Sequence, residues 1–289
     1  MIRLLLTMAI LACVLMAFAQ GAPNGGRVSS LSGDIRFHEK FASKVLGNQR
    51  TLRVYLPPQY KTDPTRKFSV LYMHDGQNLF DGMTSYIPNQ EWKVDEAAEA
   101  LIDAGMIEPI IIVGIDNGQG ERGDEYVPIK VKMGGATVGG KTAEYGKFLV
   151  EEVMPFINQT YRTQTGRDHT GLCGSSFGGV ITIELGNVYP DVFGRLGIVS
   201  PSLWIGDNEM NKRVAARKNI KGQRVWIDMG TGEANRDLAT ATRELGELYR
   251  KTGTAARDVR VFIDPRAEHN EPAWARRFPL ILLHLFGKR

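Results

Sequence analysis

The stretch from Gly171 to Gly179, Gly-Leu-Cys-Gly-Ser-Ser-Phe-Gly-Gly, constrains the fold of this chain more than any other part of the sequence. It contains the pattern Gly-x-Ser-x-Gly with Ser176 at its centre. A serine in this pattern stands on a sharp turn from a strand into a helix, and small residues two positions away leave room for that turn. The flanks fit, because 168–173 has the pattern of a short strand and 180–186 that of a helix. The pattern therefore predicts an exposed serine hydroxyl that is available for nucleophilic chemistry.

The first 19 residues have the features of an export signal. Arg3 supplies a positive charge, an apolar run follows, and Ala17-Phe18-Ala19 matches a cleavage pattern with small residues. The run is shorter than the roughly 20 residues of a membrane-spanning helix, so we expect no stable membrane insertion after cleavage. We predict that 1–19 is a signal peptide and that the mature protein is secreted or periplasmic. Lipidation of Cys13 stays open.

The rest of the chain is expected to contain one domain. Residues 20–33 are rich in glycine and serine and predict a flexible leader, and 34–289 is long enough for a single domain with its own core. Signal cleavage would leave Cys173 as the remaining cysteine, which excludes an intramolecular disulfide. The net charge of +4 is dispersed along the chain, so nucleic acid is not an expected partner.

The order of the predicted elements indicates an α/β fold. Alternating apolar residues around 35–41 and 52–56 predict two antiparallel strands joined by a turn. Short apolar runs predict further strands at 68–73, 109–115, 193–200, 225–229 and 259–263. Helices are predicted at 91–104, 143–156, 207–218, 238–251 and 272–285. Together with the serine motif, this order predicts an α/β-hydrolase with a mostly parallel central sheet, an N-terminal antiparallel hairpin and helices on both faces.

A catalytic serine needs a base and an acid, because its hydroxyl is a weak nucleophile at neutral pH. In α/β-hydrolases the chain order is serine, acid, histidine. His269 follows the last predicted strand and is the expected base, whereas His284 lies in the closing helix and is expected to pack there. Glu233, in the loop after the penultimate strand, is the preferred acid, and Asp228 and Asp237 stay open as alternatives.

The oxyanion of the tetrahedral intermediate requires two backbone N–H donors. One donor comes from the residue after the nucleophile, which is Phe177. The polar loop after the strand at 68–73 offers Gly76 or Gln77 for the second donor. His74 begins this loop, but it precedes the serine in the chain and is expected to order the loop.

Two aromatic residues are candidates for substrate binding. The segment 116–142 is long and leaves the carboxyl end of a predicted central strand, so it is expected to form a wall of the substrate cleft. Tyr126 lies in this segment and is one candidate. Trp204 follows another strand and is the second, for stacking against a substrate ring.

A second motif supports a different function. The stretch from Gly135 to Thr142 matches the Walker A pattern, in which glycines, Lys141 and a threonine would bind nucleotide phosphates and magnesium. The preceding residues 128–132 alternate and would expose lysines, unlike the buried strand that such a loop follows. A P-loop-type nucleotide-binding protein is therefore kept as the weaker alternative.

Several stretches in chain order resemble the putative esterase family of α/β-hydrolases, which includes enterochelin-esterase-like proteins and the feruloyl and acetyl xylan esterases of carbohydrate esterase family 1. They are 71–81, 112–117, 152–157, 161–163, 174–179, 200–204 and 268–271 with Trp274. The resemblance implies hydrolysis of carboxylic esters by a Ser-His-acid triad that needs no metal or organic cofactor. It does not select the ester. We expect acyl groups on carbohydrate or related small esters, and an acyltransferase with the same triad stays open.

Overall fold

An eight-stranded sheet organises the chain in the computed structural model, which describes residues 26–233 and 236–288. The strands are β1 (Asp34–Ala42), β2 (Gln49–Leu56), β3 (Ser69–His74), β4 (Ile110–Ile115), β5 (Val131–Met133), β6 (Ala136–Val138), β7 (Thr170–Ser175), β8 (Arg195–Val199), β9 (Arg224–Gly230) and β10 (Val259–Asp264). The main sheet has the order β1-β2-β4-β3-β7-β8-β9-β10, and β5 and β6 form a separate hairpin.

Helices connect these strands. They are α1 (Gln59–Thr62), α2 (Val94–Asp103), α3 (Arg122–Tyr126), α4 (Thr142–Lys147), α5 (Met154–Thr160), α6 (Phe177–Val188), α7 (Glu209–Ala215), α8 (Arg236–Lys251) and α9 (Glu271–Phe286). A π-helical segment, Phe148–Val153, joins α4 to α5. The predicted helix at 143–156 is therefore one helical stretch that continues to Thr160.

The strand directions confirm the predicted fold class. Strand β2 runs antiparallel to both β1 and β4, which gives the N-terminal hairpin, and the strands from β4 to β10 in the sheet order pair in parallel. Parallel pairing brings the carboxyl ends of β3, β7, β8, β9 and β10 to the same edge. This edge carries the loops with the predicted site residues.

Alternating side chains on each strand bury both faces of the sheet. On β3, Val70 and Tyr72 join a core cluster with α4 to α8, whereas Leu71 and Met73 pack with α2 and α9. Because each face is covered by its own helix layer, the central strands need apolar residues at consecutive positions. This requirement explains the continuous apolar runs in the sequence.

The N-terminal segment 26–33 is held against the domain. The Val28 amide donates to Asn89 Oδ1 at 2.8 Å, and the Ser32 amide donates to Asp95 Oδ2 at 2.8 Å. The Ser30 hydroxyl donates to Glu91 Oε1 at 2.8 Å. Within 26–33, polar groups of the predicted leader thus find partners in the loop before α2 and, at Asp95, in the first turn of α2.

Residues 1–25 lie outside the described residues, and with them the predicted signal peptide at 1–19, Cys13 and the first part of the leader. Within the described part of the chain, no helix has the length and apolar character needed to cross a membrane.

The Walker A match does not form a phosphate-binding loop. Residues 131–138 form the exposed hairpin of β5 and β6, which is separate from the central sheet. Lys141 lies 3.6 Å from the Asp124 carboxylate, and Thr142 is buried at the start of the six-residue helix α4. A P-loop requires a buried sheet strand running directly into the glycine-rich turn. The nucleotide-binding alternative is therefore wrong.

Candidate active site

Ser176 occupies the turn between β7 and α6. Its backbone has φ 59° and ψ −121°, an uncommon conformation for a residue with a side chain. A Cβ at Gly174 would lie 2.9 Å from the backbone of Gly178, so the turn requires glycine there. This strained corner lifts the serine out of the strand, at the edge of the sheet where the other loops meet.

His269 and Glu233 lie in direct contact at the same edge. Glu233 follows β9 and His269 follows β10, and His269 Nδ1 is 2.7 Å from Glu233 Oε2. The Glu233 side chain is 2% exposed and that of His269 is 41% exposed. A buried carboxylate bonded to Nδ1 orients the imidazole and leaves Nε2 free to face an open cavity.

The second oxygen of Glu233 is also held. Ser200 Oγ donates to Glu233 Oε1 at 2.5 Å, and the Gly230 amide donates to the same oxygen at 2.8 Å. Burial alone would raise the pKa of Glu233, but the bonds from His269, Ser200 and Gly230 outweigh it and lower the pKa below its ordinary value. Glu233 therefore stays ionised beside the imidazole.

The alternative acid Asp228 has other partners. Its Oδ2 accepts from Trp226 Nε1 at 2.7 Å and its Oδ1 from the Ser200 amide at 3.1 Å. Burial raises its pKa to about 6, although the nearby Arg277 counteracts this effect. Asp228 thus lies behind Glu233, away from the imidazole. The side chain of the other alternative, Asp237, lies outside the described residues.

Ser176 and His269 face one cavity of about 490 Å³. Its lining consists mostly of polar side chains, namely Asp75, Gln77, Asn78, Tyr86, Ile87, Asn117, Gln119, Arg122, Ser175, Ser176, His269, Glu271 and Trp274. Among the described residues, the hydrogen-bond partner of the Ser176 hydroxyl is Ser202 Oγ, at 3.3 Å. The serine must therefore turn from Ser202 to reach the imidazole, as is common in enzymes without substrate.

The candidate oxyanion donors lie on two sides of this cavity. Phe177 is the first residue of α6, where backbone N–H groups have no partner within the helix. Gln77 lines the cavity, whereas Gly76 packs behind it, where an added Cβ would lie 2.7 Å from the backbone of Gly114. The position of Gln77 favours its N–H over that of Gly76 as the second donor.

The two aromatic candidates for substrate binding lie elsewhere. Tyr126 is 0% exposed and packs against the rings of His74 and Tyr145, so it cannot contact a substrate in this structure. The prediction for Tyr126 is wrong because the short helix α3 turns its last residue into the core. Trp204 is 50% exposed and lies outside the cavity lining, with its ring 6.4 Å from that of Phe177.

Other functional residues were not identified from the sequence. Segment 116–142 does supply a wall of the cavity, but through Asn117, Gln119 and Arg122. The stretch Ser200-Pro201-Ser202 carries two hydroxyls that contact the catalytic candidates. Its position directly after β8, at the edge shared with Ser176, is the signal that would have identified it.

One group of carboxylates has the spacing of a metal site. The carboxylate oxygens of Glu91, Asp95 and Glu96 lie within 4.8 Å of one another, at the start of α2. None of the three residues lines the cavity with Ser176. They are therefore separate from the candidate active site.

Comparisons with known proteins identify the family and the fold. A family model described as "Putative esterase" matches residues 43–285. The chain is 24% identical over 251 residues to the protein YbbA of Bacillus subtilis, which covers 84% of this chain and 94% of YbbA. It is 28% identical over 200 residues to an endo-1,4-beta-xylanase/feruloyl esterase of Xylanibacter ruminicola, covering 67% of this chain and 24% of that protein.

A solved structure shares the fold. The IroE-like serine hydrolase from Shewanella oneidensis superposes with a TM-score of 0.68 at 21% identity, over 88% of this chain and 80% of that one. At this identity the likeness concerns the fold, and it extends over nearly all of the described residues.

Proposed function

This chain belongs to the putative esterase family and is a carboxylic ester hydrolase, and on that premise we propose that Ser176, His269 and Glu233 are its catalytic triad. The observation that supports the proposal most strongly is the 2.7 Å contact between His269 Nδ1 and the buried Glu233 carboxylate, beside a cavity that Ser176 also lines. A buried acid, an oriented imidazole and a serine on a sharp turn are the three parts that acyl transfer to serine requires.

In the proposed reaction, Ser176 Oγ attacks the ester carbonyl and His269 takes the hydroxyl proton. The tetrahedral intermediate collapses to an acyl-enzyme, and His269 returns the proton to the leaving alcohol. A water molecule then attacks the acyl carbon with His269 again acting as the base. The bond to Ser176 Oγ breaks as His269 returns the proton to that oxygen, and the carboxylic acid is released. Glu233 stays ionised and stabilises the imidazolium that forms in each half-reaction.

The negative oxygen of the intermediate requires donors that are already in place. We assign these donors to the N–H of Phe177 and to that of Gln77, with Gly76 allowing the loop to pack against β4. Such donors act most strongly on the charge that develops in the transition state, so their loss would lower kcat more than it raises KM.

The substrate is proposed to be an acyl ester of carbohydrate or a related small ester. Amide side chains from Asn78, Asn117 and Gln119 line the cavity and can bond to hydroxyl-rich groups. The name of one relative, a feruloyl esterase, is consistent with such an ester. The proposed site of action is the periplasm or the exterior of the cell, because residues 1–19 have the pattern of an export signal.

Hydrolysis of p-nitrophenyl acetate and methyl ferulate by the mature chain tests this function. Ser176→Ala should lose about 10³-fold or more in kcat, because the nucleophile is removed. Lys141→Ala is the control, since it removes an exposed side chain outside the cavity and should keep the turnover. Near-normal turnover in Ser176→Ala would contradict the triad. Adding an acceptor alcohol separates hydrolysis from acyl transfer by the products formed.

A further inference from the structure

Arg122 and Asp75 form a bidentate ion pair in the wall of the cavity. Arg122 Nε donates to Asp75 Oδ1 at 2.6 Å and Arg122 Nη2 donates to Oδ2 at 2.8 Å. Asn117 Nδ2 donates to Oδ1 as well, at 2.7 Å. Burial opposes the ionised carboxyl, but the charge and bonds of Arg122 outweigh it and lower the pKa of Asp75. The pair is therefore a fixed ionic contact with a defined geometry.

This contact fixes the loop that carries one proposed oxyanion donor. Asp75 has φ 57° and ψ 48°, in the left-handed region that residues with side chains rarely adopt. The Asn78 amide donates to the Asp75 carbonyl at 2.9 Å and closes the turn around Gln77. Gly76 packs against β4, and Gln77 accepts from Thr84 Oγ1 at its carbonyl and from the Asn117 amide at its Oε1. The Asp75 side chain is a further anchor of this loop, on the cavity side.

The same guanidinium contacts the segment with the other donor. The central carbon of Arg122 lies 5.3 Å from the centre of the Phe177 ring, within the range of a cation–π contact. The two segments also approach each other directly, because a Cβ at Gly178 would lie 3.3 Å from Asp75 Oδ2. Arg122 thus bonds to Asp75, in the loop with the Gln77 donor, and packs on the side chain of Phe177, the other donor.

We propose that Arg122 is a positioning residue that holds the two halves of the oxyanion hole at a fixed separation. This inference rests on the proposed function. The charge of Arg122 is largely balanced by Asp75, so its effect comes from geometry and not from a free positive charge. Arginine suits this role because a planar guanidinium can bond to a carboxylate at its edge and pack on an aromatic ring with its face.

The test compares Arg122→Met with Arg50→Met, a matched control. Arg50 forms a bidentate pair with Glu125 on the same helix α3, at 2.7 and 2.9 Å, and its side chain is 1% exposed. Each variant removes an ion pair that connects α3 to a neighbouring segment, but Arg50 lies on β2 and does not line the cavity. Kinetics with p-nitrophenyl acetate, binding of phenylboronic acid as a tetrahedral adduct, and thermal unfolding are measured for each.

We expect Arg122→Met to lose on the order of 100-fold in kcat with KM changed by less than about threefold, because misplaced donors fail mainly in the transition state. Boronic acid affinity should fall with kcat. Arg50→Met should unfold at a lower temperature yet keep kcat within about threefold of the wild type. Arg122→Lys, which cannot reproduce the bidentate pair, should lie between wild type and Arg122→Met.

Three results would overturn the proposal. The first is an unchanged kcat in Arg122→Met. The second is a rise in KM alone in Arg122→Met, which would indicate that Arg122 binds substrate. The third is an equal loss of kcat in Arg50→Met, which would indicate a general effect on α3. If Arg122→Met does not fold, Asp75→Asn replaces it, since asparagine tolerates the left-handed backbone and removes the ionic contact. An active Ser176→Ala would instead overturn the proposed function, so the two failures are distinct.

Discussion

At the scale of single residues, the Glu233 carboxylate is connected through Ser200 to side chains that are almost completely buried. Ser200 Oγ donates its single proton to Glu233 and accepts from Trp274 Nε1 at 3.1 Å and Arg277 Nη2 at 2.8 Å. Arg277 Nη2 also lies 3.2 Å from Asp228 Oδ1 and 3.8 Å from Glu233 Oε1. The Ser200 hydroxyl thus uses its full bonding capacity to connect a buried cation with the proposed catalytic acid.

We expect Ser200→Ala to move the acid limb of the kcat/KM profile to higher pH. The variant removes a bond that favours the ionised form of Glu233, so the pKa of Glu233 rises. It also leaves Trp274 Nε1 without its acceptor and removes one of the acceptors of Arg277, which should cost about 1–3 kcal/mol of stability. The pH profile of p-nitrophenyl acetate hydrolysis and urea unfolding at pH 7 measure the two effects.

The ionisation of Glu233 makes the folded protein less stable as pH falls. Because the folded state lowers the pKa of Glu233, its ionised form stabilises the fold above the ordinary glutamate value, and this stabilisation is lost as pH falls through the folded-state value. The stability difference between wild type and Ser200→Ala should therefore narrow at pH 3. Ser69→Ala removes a similarly buried hydroxyl, bonded to His169, and should leave the pH profile unchanged. An unshifted acid limb in Ser200→Ala would contradict the expected role.

At the scale of elements, the start of α2 carries a carboxylate that is costly to ionise. Asp95 is 0% exposed, and its Oδ1 has no hydrogen-bond partner among the described residues. Burial and the adjacent Glu96 carboxylate raise the pKa of Asp95. The unfolded chain thus releases this proton at a lower pH than the folded chain, and the fold loses stability as pH rises through that interval.

Asp95→Asn should therefore stabilise the protein at pH 8 and have little effect at pH 4. Asparagine does not titrate, can still accept from the Ser32 amide, and can donate to Glu96. We expect a gain of about 1 kcal/mol or more at pH 8, measured by urea unfolding with EDTA present so that no divalent cation replaces the proton. Asp207→Asn, at a carboxylate that is 95% exposed, is the control. A loss of stability in Asp95→Asn at pH 8 would contradict this account.

The elements differ in how far the sequence predicts them. Strands β3 and β4 are identified because burial on both faces leaves a continuous apolar run. The hairpin of β5 and β6 is exposed and has three residues in each strand, so no hydrophobic period marks it, and the glycines there fit a nucleotide loop equally well. The helix α3 has five residues, which is too short for a helical repeat of apolar residues to be recognised. The sequence therefore does not show that Tyr126 faces the core.

The site is partly predictable for a related reason. Ser176 and His269 can be proposed from the sequence because chain order and loop position are properties of the sequence, and both residues line one cavity. Glu233 is preferred over Asp228 because it follows the strand, and the structure has it bonded to His269. Arg122 and Ser200 could not be assigned, since their partners are distant in the chain and depend on tertiary packing.

At the scale of the whole molecule, the N-terminal segment 26–33 supports the cavity from the outside. It bonds to the loop from Asp81 to Glu91, and that loop contributes Tyr86 and Ile87 to the lining. The Tyr86 amide in turn donates to Asn78 Oδ1 at 2.8 Å. A segment far from Ser176 in the chain is thus connected to the wall of the cavity through these two consecutive links.

A chain that starts at Asp34 should be less stable and bind substrate more weakly than one that starts at Gly26. We expect the melting temperature to fall by about 5 °C, because several partly buried hydrogen bonds are lost. KM for methyl ferulate should rise several-fold with kcat within about threefold, since the proposed triad is not touched. Thermal unfolding and steady-state kinetics of both chains measure this. An unchanged KM would contradict this prediction, because it would show that the loop with Tyr86 and Ile87 keeps its conformation without segment 26–33.

The division of the cavity between loops has a consequence for evolution. Tyr86, Ile87 and Gln119 line it from two loops that hold none of the three proposed triad residues. Substitutions at these positions can change which esters enter while the hydrolytic machinery is inherited intact. Selection can therefore change the range of esters that such an enzyme hydrolyses by altering these lining residues, while the proposed triad stays the same.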